Sequence, residues 1–222
     1  MSSLTLDRDG AQHFPAVLAA CVDDILIALA ELPQDRAGIR LNGVGPLEKH
    51  IGISGCFGSI ARQFIGDRAK PVRAILFDKS EGQNWSLGWH QDRTICVGEH
   101  CEVEGFGPWS TKAGMLHVEP PFDVIKRMVT LRGHLDPVPE TNAPLLIAVG
   151  SHRLGRVPTT EVEEIVRASS VEACLAEAGD VWAYRTSIIH ASKAAEVGRG
   201  RRVLQVDYSA DDLPDGLTWA GI

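Results

Sequence analysis

No apolar run in the chain approaches the ~18 residues that a membrane-spanning helix needs. The opening "MSSLTLDRDG" also lacks a cationic region followed by an apolar one. These absences predict a cytoplasmic protein with no membrane partner. Excess positive charge is missing too: 22 basic residues stand against 29 acidic ones in 222, a net charge of −7. A phosphate backbone would find little to hold it, so nucleic acid is not expected as a partner. Cysteines number five, an odd count at irregular spacing, which suits reduced thiols better than a disulfide framework. Among them, "CVGEHC" (Cys96, His100, Cys101) lacks the second Cys or His pair of a zinc finger. The glycines at 52, 55 and 58 are spaced by three, which is not the GxGxxG of a dinucleotide fold. No repeat, low-complexity tract or linker divides the chain.

What is present is 44% hydrophobic content, enough for one sizeable core. One domain over residues 1–222 is expected: a mostly helical part at 1–70, a β core at 71–210 and a tail at 211–222. Phe14, Val17, Leu18, Cys21, Ile25 and Leu29 recur every three or four residues and predict one amphipathic helix, with Pro15 in its first turn, covering a sheet. A turn and a short helix are expected in "GISGCFGSIARQFIG". Candidate strands follow at "VRAILFD", "WSLGWHQ", "RMVTLRGHLD", "LLIAVG", "VEACLA", "DVWAY" and "RRVLQVDYS", separated by turn-forming clusters. One helix interrupts them at "TTEVEEIVRAS", where Thr160 and Glu163 fit a capping box. The fold class expected is mainly β with flanking helices, a barrel or double-sheet jelly roll.

Chemistry enters at "GWHQDRTI". Alternate residues of a strand share a face, so His90 and Asp92 can aim at one point while Trp89 and Gln91 face away. Of eight histidines, His13, His50, His100 and His152 have bland surface or turn roles. His190 instead ends the apolar run "VWAYRTSIIH", where a polar residue opens towards a pocket. Two histidines and a carboxylate form the facial arrangement of non-haem Fe(II) oxygenases, whose open positions take a chelating 2-oxo acid and O2. Such a co-substrate needs a cation for its far carboxylate. Arg201, eleven residues after His190 and opening the next strand, would supply a bidentate guanidinium. Arg202 alternates away, and Lys79 is the other candidate cation.

These segments, "WHQD", "NAPLLIAVGSH", "AGDVWAY", "HAS" and "RRVLQVDY" in this order, resemble the phytanoyl-CoA dioxygenase family of Fe(II)/2-oxoglutarate oxygenases. The resemblance covers residues 72–208. It implies a double-stranded β-helix with His90, Asp92 and His190 as metal ligands and Arg201 on the C5 carboxylate of 2-oxoglutarate. It also implies that Ser192 assists that carboxylate and that Gln91 completes the HQD motif near the substrate. Departures occur where the family's Pro-Gly-Ser/Thr-His reads Val149-Gly150-Ser151-His152 and where "ASKAAEVG" follows His190. They touch a turn and the pocket rim, so no substrate transfers with the resemblance. A coenzyme A thioester needs a phosphate-binding basic cluster that this acidic chain lacks outside "GRGRR", which favours a small-molecule substrate. Asp92 occupies the place that halogenases of the family give to a small residue, which favours hydroxylation, or a related desaturation or ring-forming oxidation, over halogenation. The oligomeric state is not legible.

In "RMVTLRGHLDPV" the alternation puts Thr130, Arg132, His134 and Asp136 on one face and Val129, Leu131, Gly133 and Leu135 on the other. If the apolar face meets the helices, Arg132 and His134 point inward. Arg132 is then either neutralised by Asp136 or Glu119, or recognises an acidic group on the substrate. A zinc hydrolase on the same triad and a non-catalytic jelly-roll binding protein are the competing functional readings.

Overall fold

Along "RRVLQVDYS" the side chains alternate between two buried surfaces rather than between core and water. Leu204, Val206 and Tyr208 pack into a helical layer, while Arg201, Val203, Gln205 and Asp207 are buried on the opposite face. Such a strand belongs to the middle of a sheet covered on both sides. The computed structural model describes residues 4–33, 38–79, 86–194 and 200–222.

In chain order the described residues give α1 (Leu6–Asp9), β1 (Ala11–Phe14), α2 (Val22–Leu29), β2 (Gly38–Leu41), α3 (Glu48–Ile51) and α4 (Cys56–Ile65). Then come β3 (Lys70–Lys79), β4 (Leu87–His90), β5 (Ile95–Val97), β6 (Trp109–Lys112), β7 (Met115–Val118), α5 (Phe122–Arg127) and β8 (Val129–His134). The last are β9 (Leu145–Ala148), α6 (Val162–Ala168), β10 (Val171–Cys174), β11 (Val181–Arg185), β12 (His190–Ser192) and β13 (Arg201–Ser209). All pairings are antiparallel: a six-stranded sheet β1-β11-β8-β13-β3-β2, a four-stranded sheet β10-β9-β12-β4 and a small sheet β5-β7-β6.

The first two sheets face each other. Leu145 and Ile147 of β9 and Cys174 of β10 pack against Trp182 and Tyr184 of β11. Behind the larger sheet, Val129, Leu131, Ala183, Leu204 and Val206 meet Leu18, Ile25, Phe57 and Ile60 of the N-terminal layer. This is a double-stranded β-helix, or jelly roll, with a helical layer on one face. Gly133 allows close approach of that layer: a Cβ there would lie 2.3 Å from Phe57 Cζ and 2.6 Å from Leu18 Cδ1. The Phe57 ring is fully buried, a burial worth about 3–5 kcal/mol against alanine. No helix among the described residues is long and apolar enough to cross a membrane.

Several expectations need correction. The stripe from Phe14 to Leu29 is not one helix: β1 pairs with β11 (Ala11↔Tyr184 to Phe14↔Val181), and the helix begins only at Val22. Ala16 at φ 55 turns the chain between them, and Leu18 N–H donates to Gly179 O at 2.8 Å. The stripe keeps its spacing because strand, turn and helix all face the same layer. The helical N-terminal part therefore also supplies both edge strands of the large sheet, β1 and β2. No capping box forms at Thr160, since the N-cap of α6 is Glu161 and makes no side-chain cap. The strand expected from Trp85 begins at Leu87, and Trp85 itself lies outside the described residues. His13 is in β1, stacked on Trp182 at 4.9 Å with Nε2 2.9 Å from Asp180, and His50 is buried.

Candidate metal centre and its pocket

His90 closes β4 and His190 opens β12, and these two strands pair with His190 directly opposite His90. The facing register brings the ring centroids to 4.4 Å. Asp92 follows His90 after one residue, and one ligand atom from each of His90, Asp92 and His190 lies within 4.8 Å of the others. Both rings are oriented by the backbone: Nδ1 of His90 is 2.8 Å from Gly88 O and Nδ1 of His190 is 3.0 Å from Ile188 O. A carbonyl only accepts, so Nδ1 carries the proton and Nε2 keeps its lone pair for a ligand. Burial, aided by His90 and Arg132, pushes His190 down to about 4 against the pull of Asp92, so its imidazole is neutral at physiological pH. Burial acts to raise the Asp92 carboxyl, but Arg73, His190, His90 and Lys112 hold it below the usual range.

Arg73, on β3, was missed by sequence reasoning. Its guanidinium pairs with Asp207 of β13 and sits 3.4 Å from Asp92 Oδ2. Thr130 Oγ1 donates to the other oxygen of Asp207 at 2.9 Å. Asp92 is thus held from behind by a buried ion pair. Arg73 lies on the same face as Lys79 by strand parity, a signal that the alternation in "VRAILFDK" did contain.

Gln91, just past the end of β4, points away from the cavity. Its Nε2 donates to Gly155 O at 3.0 Å and Ser187 O at 2.8 Å, and Oε1 accepts from Val157 N–H at 2.9 Å. It anchors the segment between His90 and Asp92 to the turn preceding His190, and the expectation that it meets substrate is corrected. His134 is on the inner face but does not line the cavity; it is buried, with neither ring nitrogen partnered among the described residues. His152 is buried in its turn, with Nε2 3.3 Å from Asp7 O.

The triad opens into a cavity of about 220 Å³ between the sheets, with Lys79, Arg132, Arg201, Ser192 and Gln205 on its walls. Arg201 is 2% exposed, and one terminal nitrogen donates to the carbonyls of Ala143 and Asn142. Its Nε has no partner among the described residues. Burial and neighbouring Arg132 push it down to about 9. Lys79 stands opposite Arg201 in the β3–β13 register and donates to Ser192 Oγ at 3.1 Å and Lys193 O at 2.7 Å. Burial, Arg201 and Arg132 push it down to about 8. Arg132 donates to Gln205 Oε1 at 2.8 Å and lies 5.0 Å from the Phe77 ring centroid. The carboxylates that sequence offered it are engaged elsewhere: Asp136 with Arg202 and Glu119 with Arg156, each at 2.7 Å. Among the described residues neither Arg132 nor Arg201 has a carboxylate partner. Arg40 of β2 and Lys112 of β6 add cations to the wall; their four-residue strands gave no periodic signal. A larger depression of about 760 Å³, walled by Asp7, Phe64, Asp123 and Arg153 among others, contains none of the triad. Its size reflects openness to solvent, and the converging ligands identify the smaller cavity.

A jelly roll with two histidines and a carboxylate converging between its sheets defines the class, an iron- and 2-oxoglutarate-dependent oxygenase. The sequence model of the phytanoyl-CoA dioxygenase (PhyH) family matches residues 56–203, and the chain belongs to that family. No curated protein matches the chain in sequence. Solved structures share the fold at low identity. SnoN, a non-heme alpha ketoglutarate dependent epimerase from nogalamycin biosynthesis, is 17% identical, with a TM-score of 0.66 over 95% of this chain and 87% of its own. EctD from S. alaskensis is 16% identical, with a TM-score of 0.68 over 98% and 78%. HygX from Streptomyces hygroscopicus, solved with nickel and 2-oxoglutarate, is 15% identical, with a TM-score of 0.63 over 93% and 87%.

Proposed function

We propose that the chain uses Fe(II), 2-oxoglutarate and O2 to hydroxylate a small acidic metabolite. The observation that carries this reading is a triad within 4.8 Å facing a cavity whose walls hold two guanidiniums that have no carboxylate partner among the described residues. The donor set fits the ion: two imidazoles and a carboxylate, each oriented by a backbone carbonyl or by Arg73. Bound there, Fe(II) supplies open positions at which a 2-oxo acid and O2 react, giving succinate and CO2. Of the O2, one atom goes to the new succinate carboxylate and the other to the substrate.

The remaining roles belong to this chain's side chains. Arg201 grips the far carboxylate of 2-oxoglutarate, and Lys79 and Ser192 complete that end of the cavity. Arg132 faces the substrate and supplies the positive charge that selects an acidic group. About 220 Å³ is below the ~300–1,000 Å³ of sites for drug-sized ligands, which suits a small substrate and disfavours a coenzyme A thioester. Solved relatives of the fold include EctD with 2-oxoglutarate and 5-hydroxyectoine and SnoN with Fe3+, alpha ketoglutarate and nogalamycin RO; both hold small molecules. A zinc hydrolase needs no cation beside its metal, and family membership decides for the oxygenase. The test is succinate release from 2-oxoglutarate in air with Fe(II), stimulated by small acidic candidates and abolished in folded His90→Ala and His190→Ala. Either variant retaining wild-type turnover overturns the metal assignment.

A further inference from the structure

On the far side of the large sheet from the cavity, three side chains of the helical layer converge. They are Cys21 at the N-cap of α2, His50 in α3 and Cys56 at the start of α4. One ligand atom from each lies within 4.8 Å of the others. The two sulfurs are 3.3 Å apart, and Cys56 Sγ is 4.0 Å from His50 Nδ1. His50 is 7% exposed, and its Nε2 has no hydrogen-bond partner among the described residues. Both cysteines are half-buried, so the cluster opens to solvent on one side.

The glycines at 52, 55 and 58 explain how the backbone permits this. A Cβ on Gly55 would lie 2.2 Å from His50 O, and one on Gly58 would lie 2.1 Å from Gly52 O. A side chain at either position forces α4 away from α3 and separates Cys56 from His50. The spacing that is useless for a dinucleotide therefore serves to close the chain on itself between two potential ligands.

We propose that Cys21, His50 and Cys56 form a second metal site, separate from the oxygenase triad, for a soft divalent ion of the zinc class. Two thiolates and an imidazole are zinc-type donors, and the sulfurs select against the oxygen-seeking ions Mg2+ and Ca2+. Solvent completes the coordination on the open side. Burial and the hydrogen bond with Cys21 push Cys56 up to about 12. Without an ion the Cys56 thiol stays protonated and is a poor nucleophile, which weighs against a redox disulfide as its purpose. An ion displaces two thiol protons and supplies the charge that burial otherwise denies them. It would tie α2 to α3 and α4 across the layer that covers the sheet. Cys21 and His50 lie outside the family-matched residues 56–203.

The experiment is an anaerobic titration of the reduced full-length protein with Co(II). The triad offers only nitrogen and oxygen donors, so a thiolate-to-cobalt charge-transfer band reports the cysteine site alone. The proposal expects this band to saturate when the cysteine site holds one ion per chain, counted apart from cobalt at the triad, to release two protons as it forms and to be erased by Zn(II). Cys56→Ser abolishes the band. Cys21→Ser, at an N-cap where serine is favoured, keeps the helix and weakens binding by more than the roughly 10- to 100-fold that loss of an outer-shell partner costs. His50→Gln weakens it likewise. Circular dichroism confirms that each variant is folded. Absence of the band in the reduced protein overturns the proposal. So does a band that survives Cys21→Ser and Cys56→Ser, one lost instead in Cys101→Ser, or a Cys21–Cys56 disulfide in air with no cobalt band after reduction.

Discussion

Arg201→Ala separates the anchoring role of this guanidinium from its role in the fold. Removing it leaves the Ala143 and Asn142 carbonyls without their donor, at about 1–3 kcal/mol for each buried group left unsatisfied. Against this, it removes a buried cation already pushed down to about 9 by burial and Arg132. The two effects oppose, so the variant should fold with a small change in stability. Co-substrate binding has no such compensation. Losing the partner of a desolvated carboxylate costs about 2–5 kcal/mol, roughly 30- to 4,000-fold in Kd at 1.4 kcal/mol per decade. Calorimetry of 2-oxoglutarate binding to the iron-loaded protein reads this directly, and iron affinity should stay within a few-fold. Arg201→Lys should recover only part of the loss, since an ammonium lacks the planar fork. An unchanged 2-oxoglutarate dependence refutes the assignment and transfers it to Lys79; Arg202 is occupied by Asp136.

Arg132→Leu should leave 2-oxoglutarate affinity intact while substrate oxidation falls behind succinate formation; equal loss of both ends its role in substrate recognition. Gln91→Leu strands the Val157 N–H and the Gly155 and Ser187 carbonyls, at about 1–3 kcal/mol per buried unsatisfied group, and a Tm equal to wild type would contradict its anchoring role. In the free protein Lys79 is held down to about 8, so it loses charge within the alkaline range, whereas the Arg201 guanidinium keeps its proton. 2-Oxoglutarate affinity should therefore be flat below pH 8 and fall above it, with proton uptake on binding. In the same window the unfolded chain still holds the Lys79 proton that the fold has released, so this group makes stability rise with pH. Affinity that rises from pH 8 to 10 contradicts the cationic site.

Legibility followed strand parity. "TLRGH" carries alternation long enough to separate faces, and the structure puts Arg132 inward and Leu131 against the helices. β4 stops at His90, so the segment that follows the strand, not the strand itself, brings Asp92 to His90 and turns Gln91 the other way. His190 was found from its place at the end of an apolar run, and its pairing with His90 is a register no local pattern encodes. The same parity reaches Arg73 from Lys79, but its value depends on Asp207, 134 residues away. Arg40 and Lys112 sit on strands of four residues, too short for a period. The first helix was overextended because a strand, a turn and a helix packed on one layer show the same apolar spacing as a helix alone. Parity also overreached at His134, which faces inward but beyond the cavity wall.

Strand β13 divides the protein's two tasks between its faces. Arg201, Gln205 and Asp207 face the interior and serve the cavity or hold Arg73, whereas Leu204, Val206 and Tyr208 belong to the cluster under the helices. Leu204 is fully buried there, so Leu204→Ala should cost about 2–5 kcal/mol from lost contacts and the cavity left behind. Its side chain touches no wall of the site, and the backbone between it and Gln205 is fixed on both sides by pairing with β3 and β8 (Leu204↔Leu76, Leu204↔Gly133). The folded variant should then bind 2-oxoglutarate like wild type while unfolding at lower denaturant, the reverse of Arg201→Ala. Measuring both properties on both variants gives the test. If Leu204→Ala also weakens co-substrate binding while still folded, the sheet transmits strain through its plane, and the two faces are not independent.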